Sequence, residues 1–245
     1  MTQPLAGKNV VVTGGGTGIG FGIAKALAEA GAQVALAGRR VEKLQEAAAQ
    51  FTGEPTMLTH AVDVSDLKSV EALFGWAGET MGDIHILVNS AGINIPKRSM
   101  AETSPENWEK VLQINATGAF YCMHTVLPQM REREDGLILN VSSIAGKRAL
   151  LLGGVAYCAS KFAMTALGST AALEEQQHGI RITNIYPGEV ETPILDNRPA
   201  PVSAERRSKM LQPEDLGAAA LMIACLPPRA HIPEIVVKPT VQDWA

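Results

Sequence analysis

The sequence predicts an α/β fold: a doubly wound parallel sheet, covered by helices on both faces, that forms a three-layer sandwich in a single domain. Short apolar runs alternate along the chain with longer segments of helical periodicity. The apolar runs are continuous, as strands buried on both faces require. The chain has 245 residues, of which 46% are hydrophobic, and this is enough for one large core. No internal repeat or low-complexity linker divides it.

The predicted strands are short runs rich in Val, Ile, Leu and Ala, bounded by glycine or polar residues. The first of them contains three consecutive valines and stops at Thr13, where three glycines follow. The seven predicted strands cover residues 9–12, 33–37, 60–64, 85–89, 137–141, 181–185 and 235–237.

The predicted helices repeat apolar residues at three- and four-residue steps, which places those residues on one helical face. In the first helix the repeat consists of Ile23, Ala24, Leu27 and Ala30. The seven predicted helices cover residues 20–31, 41–50, 67–81, 105–115, 118–131, 157–178 and 215–226. Residues 193–212 combine prolines with a charged run, so we predict a partly helical excursion beyond a strand end that acts as a lid.

Composition excludes several classes of protein. Lys and Arg number 21 against 25 Asp and Glu, so the chain lacks the basic excess of nucleic-acid-binding proteins. The three cysteines and five histidines are scattered, which predicts neither a disulfide framework nor a metal site. No apolar run is long enough to cross a bilayer, and residues 1–8 do not resemble an export signal. We therefore expect a cytoplasmic protein with no nucleic-acid or membrane partner.

A glycine-rich turn follows the first predicted strand and opens the first helix. Its candidate binding residues are Gly14, Gly16, Thr17, Gly18, Ile19 and Gly20. Glycines let the backbone approach a pyrophosphate, and the N-terminus of the helix offers unpaired N–H groups to that anion. The glycines alone are equally consistent with a flexible loop, but the position after the first strand favours dinucleotide binding.

Further motifs follow in order along the chain. Residues 13–20 read TGGGTGIG, residues 89–92 read NSAG, and a Pro-Gly pair at 187–188 follows the sixth predicted strand. Four polar residues complete the set: Asn115, Ser143, Tyr157 and Lys161. Together these motifs resemble the short-chain dehydrogenase/reductase family, whose fingerprint is TGxxxGIG, from residue 8 to about 195. The resemblance implies a Rossmann-like fold, a nicotinamide cofactor and these four residues as the catalytic tetrad.

The resemblance also implies which further residues contact the cofactor. Besides the glycine-rich turn, Tyr157 and Lys161, they are Asp63, Val64, Asn89, Ala91, Gly92, Pro187, Gly188, Val190 and Thr192.

The end of the second predicted strand distinguishes between the two nicotinamide cofactors. A carboxylate there would repel a 2′-phosphate, whereas an arginine fork suits phosphate oxygens. The sequence has Gly38 at this place, followed by Arg39 and Arg40. We therefore predict NADP(H); the alternative is that both arginines are solvated loop charges.

The chemistry is predicted to centre on one helix. Tyr157 and Lys161 lie four residues apart, so their side chains share a helical face. A neighbouring ammonium is predicted to lower the phenol's pKa from about 10 and let Tyr157 act as acid or base. Ser143 is predicted to hydrogen-bond the substrate oxygen, with Ser142 as a rival. By resemblance, Asn115 holds a water in a proton relay to Lys161; without it, Asn115 is a polar break between helices.

The substrate is predicted only by class. Lys147 and Arg148 stand beside three leucines, which suits a carboxylate or acyl substrate, or a loop that packs on itself. Relatives imply a 3-oxoacyl thioester, and residues 235–240 resemble the branch that acts on 3-hydroxy acids. The alternative from another class is a non-catalytic dinucleotide sensor.

The resemblance also implies a homo-oligomer, either a dimer or a homotetramer. Apolar residues beyond one helical face, such as Phe120 and Phe162, are consistent with such an interface, although core packing is the alternative. Trp244 is predicted to contact a partner subunit or to close the pocket.

Overall fold

One parallel sheet organises the fold. This computed structural model describes residues 3–242, so Trp244 and the contact predicted for it lie outside the described residues. The strands are β1 Asn9–Thr13, β2 Gln33–Gly38, β3 Leu58–Ala61, β4 Ile86–Asn89, β5 Gly136–Val141, β6 Ile180–Pro187 and β7 Glu234–Val237. Their order is β3-β2-β1-β4-β5-β6-β7, and all neighbouring pairs are parallel. The carboxyl ends of the strands therefore meet at one edge, where the order reverses between β1 and β4.

Helices cover both faces of this sheet. They are α1 Gly18–Glu29, α2 Val41–Ala48, α3 Leu67–Met81, α4 Pro105–Leu112, α5 Gly118–Arg133, α6 Val155–Glu175, α7 Ala204–Arg207 and α8 Pro213–Ala224. Because side chains alternate along a strand, Val10 and Val12 of β1 belong to a core cluster with residues of α1, α2 and α8, whereas Val11 belongs to a second cluster with residues of α3, α5 and α6. The predicted three-layer α/β fold is confirmed.

The predicted elements occur in the predicted order, and most of their ends move by one to three residues. The difference that affects the site is at β3. The sequence predicts this strand at residues 60–64, and the structure places it at Leu58–Ala61. The Asp63 carboxylate accepts hydrogen bonds from the backbone N–H and the hydroxyl of Ser65, at 3.0 and 2.6 Å. These bonds turn the chain out of the sheet, so Asp63 and Val64 follow the strand instead of ending it.

A π-helical turn at Gln113–Thr117 joins α4 directly to α5. Both predicted helices are present, but the polar break predicted between them is wrong, because helical backbone continues from one to the other. Asn115 lies inside the turn, where its side chain bonds the backbone of Ile93 instead of interrupting the helix. Single π-helical turns of this kind occur frequently at functional sites.

The segment 193–212 forms an irregular, partly helical excursion beyond β6. It contains a 3₁₀ turn, Pro193–Asn197, and the short helix α7. Leu211 then returns to pair with Val190 just after β6. The excursion therefore lies over the carboxyl edge of the sheet and is tied back to it at its far end.

Residues 3–242 contain no helix that is both long enough and apolar enough to cross a membrane. Within the same residues, no three His, Cys, Asp or Glu side chains cluster as metal ligands would. Cys122 and Cys158 are buried as free thiols, and Cys225 is exposed.

Candidate active site

One cleft of about 660 Å³ runs along the carboxyl edge of the sheet. Most predicted site residues line it: Gly14, Gly16, Thr17, Gly18, Ile19, Gly20, Arg39, Arg40, Asp63, Val64, Ala91, Gly92, Ser143, Tyr157, Lys161, Pro187, Gly188, Val190 and Thr192. Asn89 and Asn115 are the two that do not line it, since both side chains are buried behind its wall. Residues far apart in sequence therefore meet at the place where open α/β sheets bind ligands.

The glycine-rich turn is packed too closely against neighbouring backbone to accommodate side chains at Gly14 and Gly20. Gly14 has a φ of +66°, and a Cβ there would lie 2.9 Å from the backbone of Ala91. A Cβ on Gly20 would lie 2.3 Å from the carbonyl oxygen of Gly14. Thr17 precedes α1 without a side-chain cap, so the first N–H groups of the helix are left for another acceptor. The turn is thus shaped for a bound anion such as a pyrophosphate.

The end of β2 presents positive charge to the cleft. Arg39 and Arg40 are exposed at its rim, and Lys43 of α2, which the sequence analysis missed, lines it one turn later. The Lys43 ammonium is 2.6 Å from the Glu46 carboxylate. Across the cleft, hydrogen bonds from Ser65 hold the pKa of Asp63 below its usual value, and the charge of Arg39 lowers it further. This end of the cleft therefore suits a phosphate group.

Asn89 positions a loop rather than lining the cleft. In the sheet it is in register with Thr13 and with Asn140. Its Nδ2 donates to Asn140 Oδ1 at 3.0 Å. The neighbouring Thr13 hydroxyl oxygen accepts hydrogen bonds from the N–H groups of Ser90 and Ala91, at 3.2 and 3.3 Å. These buried bonds fix the loop that forms the floor of the cleft.

Asn115, which is also buried behind the wall of the cleft, holds the backbone of Ile93 through hydrogen bonds. Its Oδ1 accepts the N–H of Ile93 at 2.8 Å, and its Nδ2 donates to the Ile93 carbonyl at 2.9 Å and to Ser160 Oγ at 3.0 Å. A Cβ on Gly92 would lie 3.5 Å from Asn115 Oδ1 and 3.6 Å from Lys161 Nζ. Asn115 and Lys161 therefore flank the same short piece of backbone.

Ser143, Tyr157 and Lys161 meet on one wall of the cleft. Tyr157 and Lys161 are one turn apart on α6, as predicted, with Lys161 Nζ 5.7 Å from the centroid of the phenol ring. The ammonium donates to the carbonyl of Val141 at 2.8 Å, and burial lowers its pKa to about 8. Ser143 is the serine that hydrogen-bonds Tyr157. Ser142 also lines the cleft, but its hydroxyl donates to the Lys161 carbonyl and is hydrogen-bonded to the Thr165 hydroxyl.

The pKa of Tyr157 differs from the prediction. Burial raises it above the ordinary value near 10, and a hydrogen bond with Ser143 and the charge of Arg98 offset this only in part. The predicted lowering of the pKa is therefore wrong. The physical reason is that burial of the phenol outweighs the interactions that favour its ionised form.

Ion pairs hold the segment 193–212 against the residues that follow β6. Glu189 accepts hydrogen bonds from Arg198 and Arg206, each at 2.9 Å, and Glu191 accepts one from Arg207 at 2.6 Å. Glu189, Arg198 and Arg206 also line the cleft. The excursion is thus held at the site by ion pairs as well as by its covalent connection to β6.

Arg98 is a second site residue, besides Lys43, that the sequence analysis missed. It lies in the loop between β4 and α4, only 8% exposed, and lines the cleft. The cations predicted on the substrate side, Lys147 and Arg148, are not among the lining residues, and Lys147 pairs with Glu234. No motif could have indicated Arg98, because nothing in its sequence neighbourhood distinguishes it from the exposed Lys97.

Comparison with known proteins agrees with this geometry. The family described as short chain dehydrogenase matches residues 8–202. An uncharacterised oxidoreductase of Staphylococcus aureus is 33% identical over 235 residues, which cover 96% of this chain and 98% of that protein.

Two solved structures share the whole fold. The closed form of serine dehydrogenase complexed with NADP+ is 28% identical with a TM-score of 0.87, and the match covers 97% of each chain. A 3-ketoacyl-(acyl-carrier-protein) reductase from Brucella melitensis, complexed with NADH, is 28% identical with a TM-score of 0.85 over 96% of this chain and 98% of that one. Because the family match spans most of the sequence and the relatives align end to end, this chain belongs to the short chain dehydrogenase family of oxidoreductases.

Proposed function

We propose that the protein is an NADP(H)-dependent oxidoreductase that transfers a hydride between nicotinamide and a carbonyl compound or secondary alcohol. One observation carries this proposal: Ser143, Tyr157 and Lys161 line the same cleft as the glycine-rich turn. A proton donor, a donor for a substrate oxygen and a buried cation thus stand beside a cradle that fits a dinucleotide.

The cofactor-binding part of the proposal rests on shape and charge. The glycine-rich turn would hold the pyrophosphate, and Asp63 and Val64 would contact the adenine. The residues that would hold the nicotinamide are Ala91, Gly92, Pro187, Gly188, Val190 and Thr192.

NADP(H) is preferred over NAD(H) because two guanidinium groups, Arg39 and Arg40, follow β2 where a carboxylate would repel a 2′-phosphate. Of the two similar structures, serine dehydrogenase carries NADP+ and the ketoacyl reductase carries NADH. The charges of this chain at β2 therefore decide between them.

The bound cofactor supplies the hydride in carbonyl reduction and accepts it in alcohol oxidation. Tyr157 gives its hydroxyl proton to the carbonyl oxygen, and in the reverse direction its phenolate removes the proton of the alcohol. Ser143 donates a hydrogen bond to the same oxygen and stabilises charge that develops there. The Lys161 ammonium favours the phenolate that Tyr157 becomes, and Asn115 keeps the Gly92–Ile93 backbone beside Lys161 in place.

Two substrate classes fit this chemistry. A 3-oxoacyl thioester is the substrate implied by the name of the Brucella protein. A 3-hydroxy acid is implied by the name of serine dehydrogenase, and it is favoured by a buried arginine in the cleft of this chain, Arg98. Either substrate would enter under the segment 193–212, which we assign as a lid.

We propose further that the protein acts in the cytoplasm and that it forms a homo-oligomer, either a dimer or a tetramer. The homo-oligomer is supported by large apolar side chains that are exposed on the outer helices. These side chains are Trp108, Phe120, Phe162 and Leu173.

Tyr157→Phe tests the proposal directly. The change removes the hydroxyl and leaves the ring, so we expect turnover of carbonyl compounds to fall at least 1,000-fold, on the order of a lost general acid, with NADPH affinity unchanged. The measurement is NADPH absorbance loss over a panel of carbonyl compounds, with NADPH binding followed by fluorescence. Tyr121→Phe, on α5 away from the cleft, is the matched control and should keep full activity.

Two outcomes would contradict the proposal. Turnover retained by Tyr157→Phe would remove this residue from proton transfer. A wild-type protein that binds NADPH and turns over no member of the panel would favour the dinucleotide sensor.

A further inference from the structure

Arg98 is a buried cation with no anionic partner among the described residues. Its Nη1 donates to the carbonyl of Leu152 at 2.9 Å, and its Nη2 donates to the carbonyl of Asn197. Its Nε is buried without any hydrogen-bond partner. Burial lowers the pKa of Arg98, and the charge of Arg198 lowers it further. The guanidinium therefore has neutral carbonyls and a second cation around it, but no carboxylate.

This situation is unusual because buried charges are normally paired, and an unpaired one destabilises the folded protein. The second cation does not share the problem, since Arg198 is 2.9 Å from the Glu189 carboxylate. The structure thus supplies an anion for Arg198 and none for Arg98. A ligand that brings a carboxylate would remove the deficit.

Arg98 is close to the reacting centre. Its carbonyl accepts the N–H of Val155 at 3.1 Å in the first turn of α6, two residues before Tyr157. Arg98 and Tyr157 line the same cleft, and each shifts the pKa of the other. A small molecule with its carbonyl at Tyr157 would therefore have room to reach Arg98 with a group only a few bonds away.

The neighbourhood of Arg98 further narrows the ligand. The cleft wall beside it includes Leu150, Leu151 and Leu152, which suit a short apolar linker. A guanidinium fork binds a planar carboxylate through two parallel hydrogen bonds. A neutral thioester or ketone would leave the charge uncompensated.

We propose that Arg98 binds the carboxylate of the substrate, so that the enzyme acts on oxo acids and the corresponding hydroxy acids. The inference rests on the proposed function for the reaction itself, and it selects the hydroxy-acid class over the neutral 3-oxoacyl thioester. Arg98 would also have a second role, because its hydrogen bonds to the carbonyls of Leu152 and Asn197 would connect the loop before α6 and the lid to the bound acid.

The kinetic test uses substrates that differ only in charge. Short 2-oxo, 3-oxo and 4-oxo acids are compared with their methyl esters, with NADPH as reductant. For the wild type, the best acid should exceed its ester in kcat/KM by at least 10-fold. Arg98→Met, which keeps length without charge, should lower kcat/KM for that acid about 100-fold, as loss of a buried ion-pair partner does. It should lower the ester value by a smaller factor, so that the ratio of the acid value to the ester value falls at least 10-fold.

Two outcomes of this test would overturn the assignment. If Arg98→Met lowers the acid and ester values equally, its role is purely structural, and if the wild type prefers esters, Arg98 does not recognise the substrate carboxylate. Arg98→Lys separates charge from architecture, because it retains the cation and loses the fork. Arg98→Lys should keep part of the preference for acids over esters. This variant still tests the assignment if thermal melting shows that Arg98→Met does not fold.

A binding test separates this inference from the proposed reaction. Butanoate and its uncharged analogue butanamide are titrated calorimetrically into the enzyme–NADP+ complex. The wild type should bind butanoate at least 10-fold more tightly than butanamide, and Arg98→Met should abolish the difference. Equal binding of the two by the wild type, or no binding of either, would overturn the assignment of Arg98, whatever Tyr157→Phe does to turnover.

Discussion

Arg39 and Arg40 follow β2 directly, and both are exposed at the rim of the cleft, where no carboxylate follows the strand. Their contribution to cofactor binding depends on whether the ribose of the cofactor carries a 2′-phosphate. We expect Arg39→Asp to weaken NADPH binding about 30-fold or more, because it removes a guanidinium that donates hydrogen bonds to the 2′-phosphate. The change should strengthen NADH binding, because the new carboxylate can accept hydrogen bonds from the ribose hydroxyls.

Fluorescence titration with both cofactors measures the effect of Arg39→Asp. Arg229→Asp is the matched control, since Arg229 is exposed and does not line the cleft. Equal affinities for NADPH and NADH in the wild type would contradict the assignment of the arginines.

Lys161 makes the reaction dependent on pH. Burial lowers its pKa to about 8, while the pKa of Tyr157 is raised. Tyr157 therefore stays protonated across neutral pH, and Lys161 is the group that loses charge first. As the pH rises through 8, the ammonium no longer favours the phenolate, so kcat/KM for carbonyl reduction should fall several-fold to a lower plateau.

The pH profile of kcat/KM between 6 and 9.5 tests this assignment. Lys161→Met should be slow and flat across the range, because it has no charge to lose. A wild-type profile that is flat through pH 8 would show that the Lys161 ammonium does not assist Tyr157.

At the scale of elements, one ion pair links α5 to α6. The Arg131 guanidinium donates through Nε to Glu175 at 2.8 Å and forms a second, shorter bond to the same carboxylate. The Glu175 side chain is 3% exposed and that of Arg131 is 45% exposed. The two partners are therefore unequal, because only Arg131 can reach water if the pair is broken.

We expect Arg131→Ala to reduce the free energy of unfolding by roughly 2–4 kcal/mol, since it leaves a buried carboxylate unpaired, and Glu175→Gln to reduce it by only about 1 kcal/mol. Urea denaturation at pH 7 measures both changes. A larger loss in Glu175→Gln than in Arg131→Ala would contradict the argument from burial.

The same pair has a defined pH dependence. The hydrogen bonds from Arg131 hold the pKa of Glu175 below its usual value of 4.5. The pair's stabilisation is therefore complete above pH 4.5 and is lost as the pH falls through the lowered pKa. In Arg131→Ala, burial should raise the pKa of Glu175 instead, because no partner stabilises the carboxylate. The difference in the free energy of unfolding between the wild type and Arg131→Ala should therefore shrink as the pH falls toward 4.

At the scale of the whole molecule, exposed apolar side chains on α4, α5 and α6 indicate association. Phe120 is 45% exposed, Phe162 is 43% exposed and Leu173 is 70% exposed. We expect light scattering to give two or four times the chain mass of 25.9 kDa. Phe120→Arg should shift the distribution toward smaller species, whereas a wild type that runs as a monomer would contradict the proposal.

The sequence predicted most of the sheet and of the cleft because both depend on local patterns. Apolar runs and helical periods set the order of elements, and parallel strands bring their carboxyl ends to one edge. The end of β3, the π-helical turn and the position of Lys161 depend instead on contacts between distant residues. The Ser65 bonds to Asp63, the Ile93 bonds to Asn115 and the Val141 carbonyl cannot be read from spacing.

The backbone hydrogen bond from Val155 to Arg98 has a consequence for engineering. Arg98, which we propose selects the substrate, and Tyr157, which we propose exchanges its proton, lie on separate segments that this bond joins at the start of α6. Because the bond uses the backbone carbonyl of residue 98, any side chain at this position retains it, so randomising position 98 should yield new substrate preferences together with a shifted pKa of Tyr157. Directed evolution of this protein can begin at that single codon.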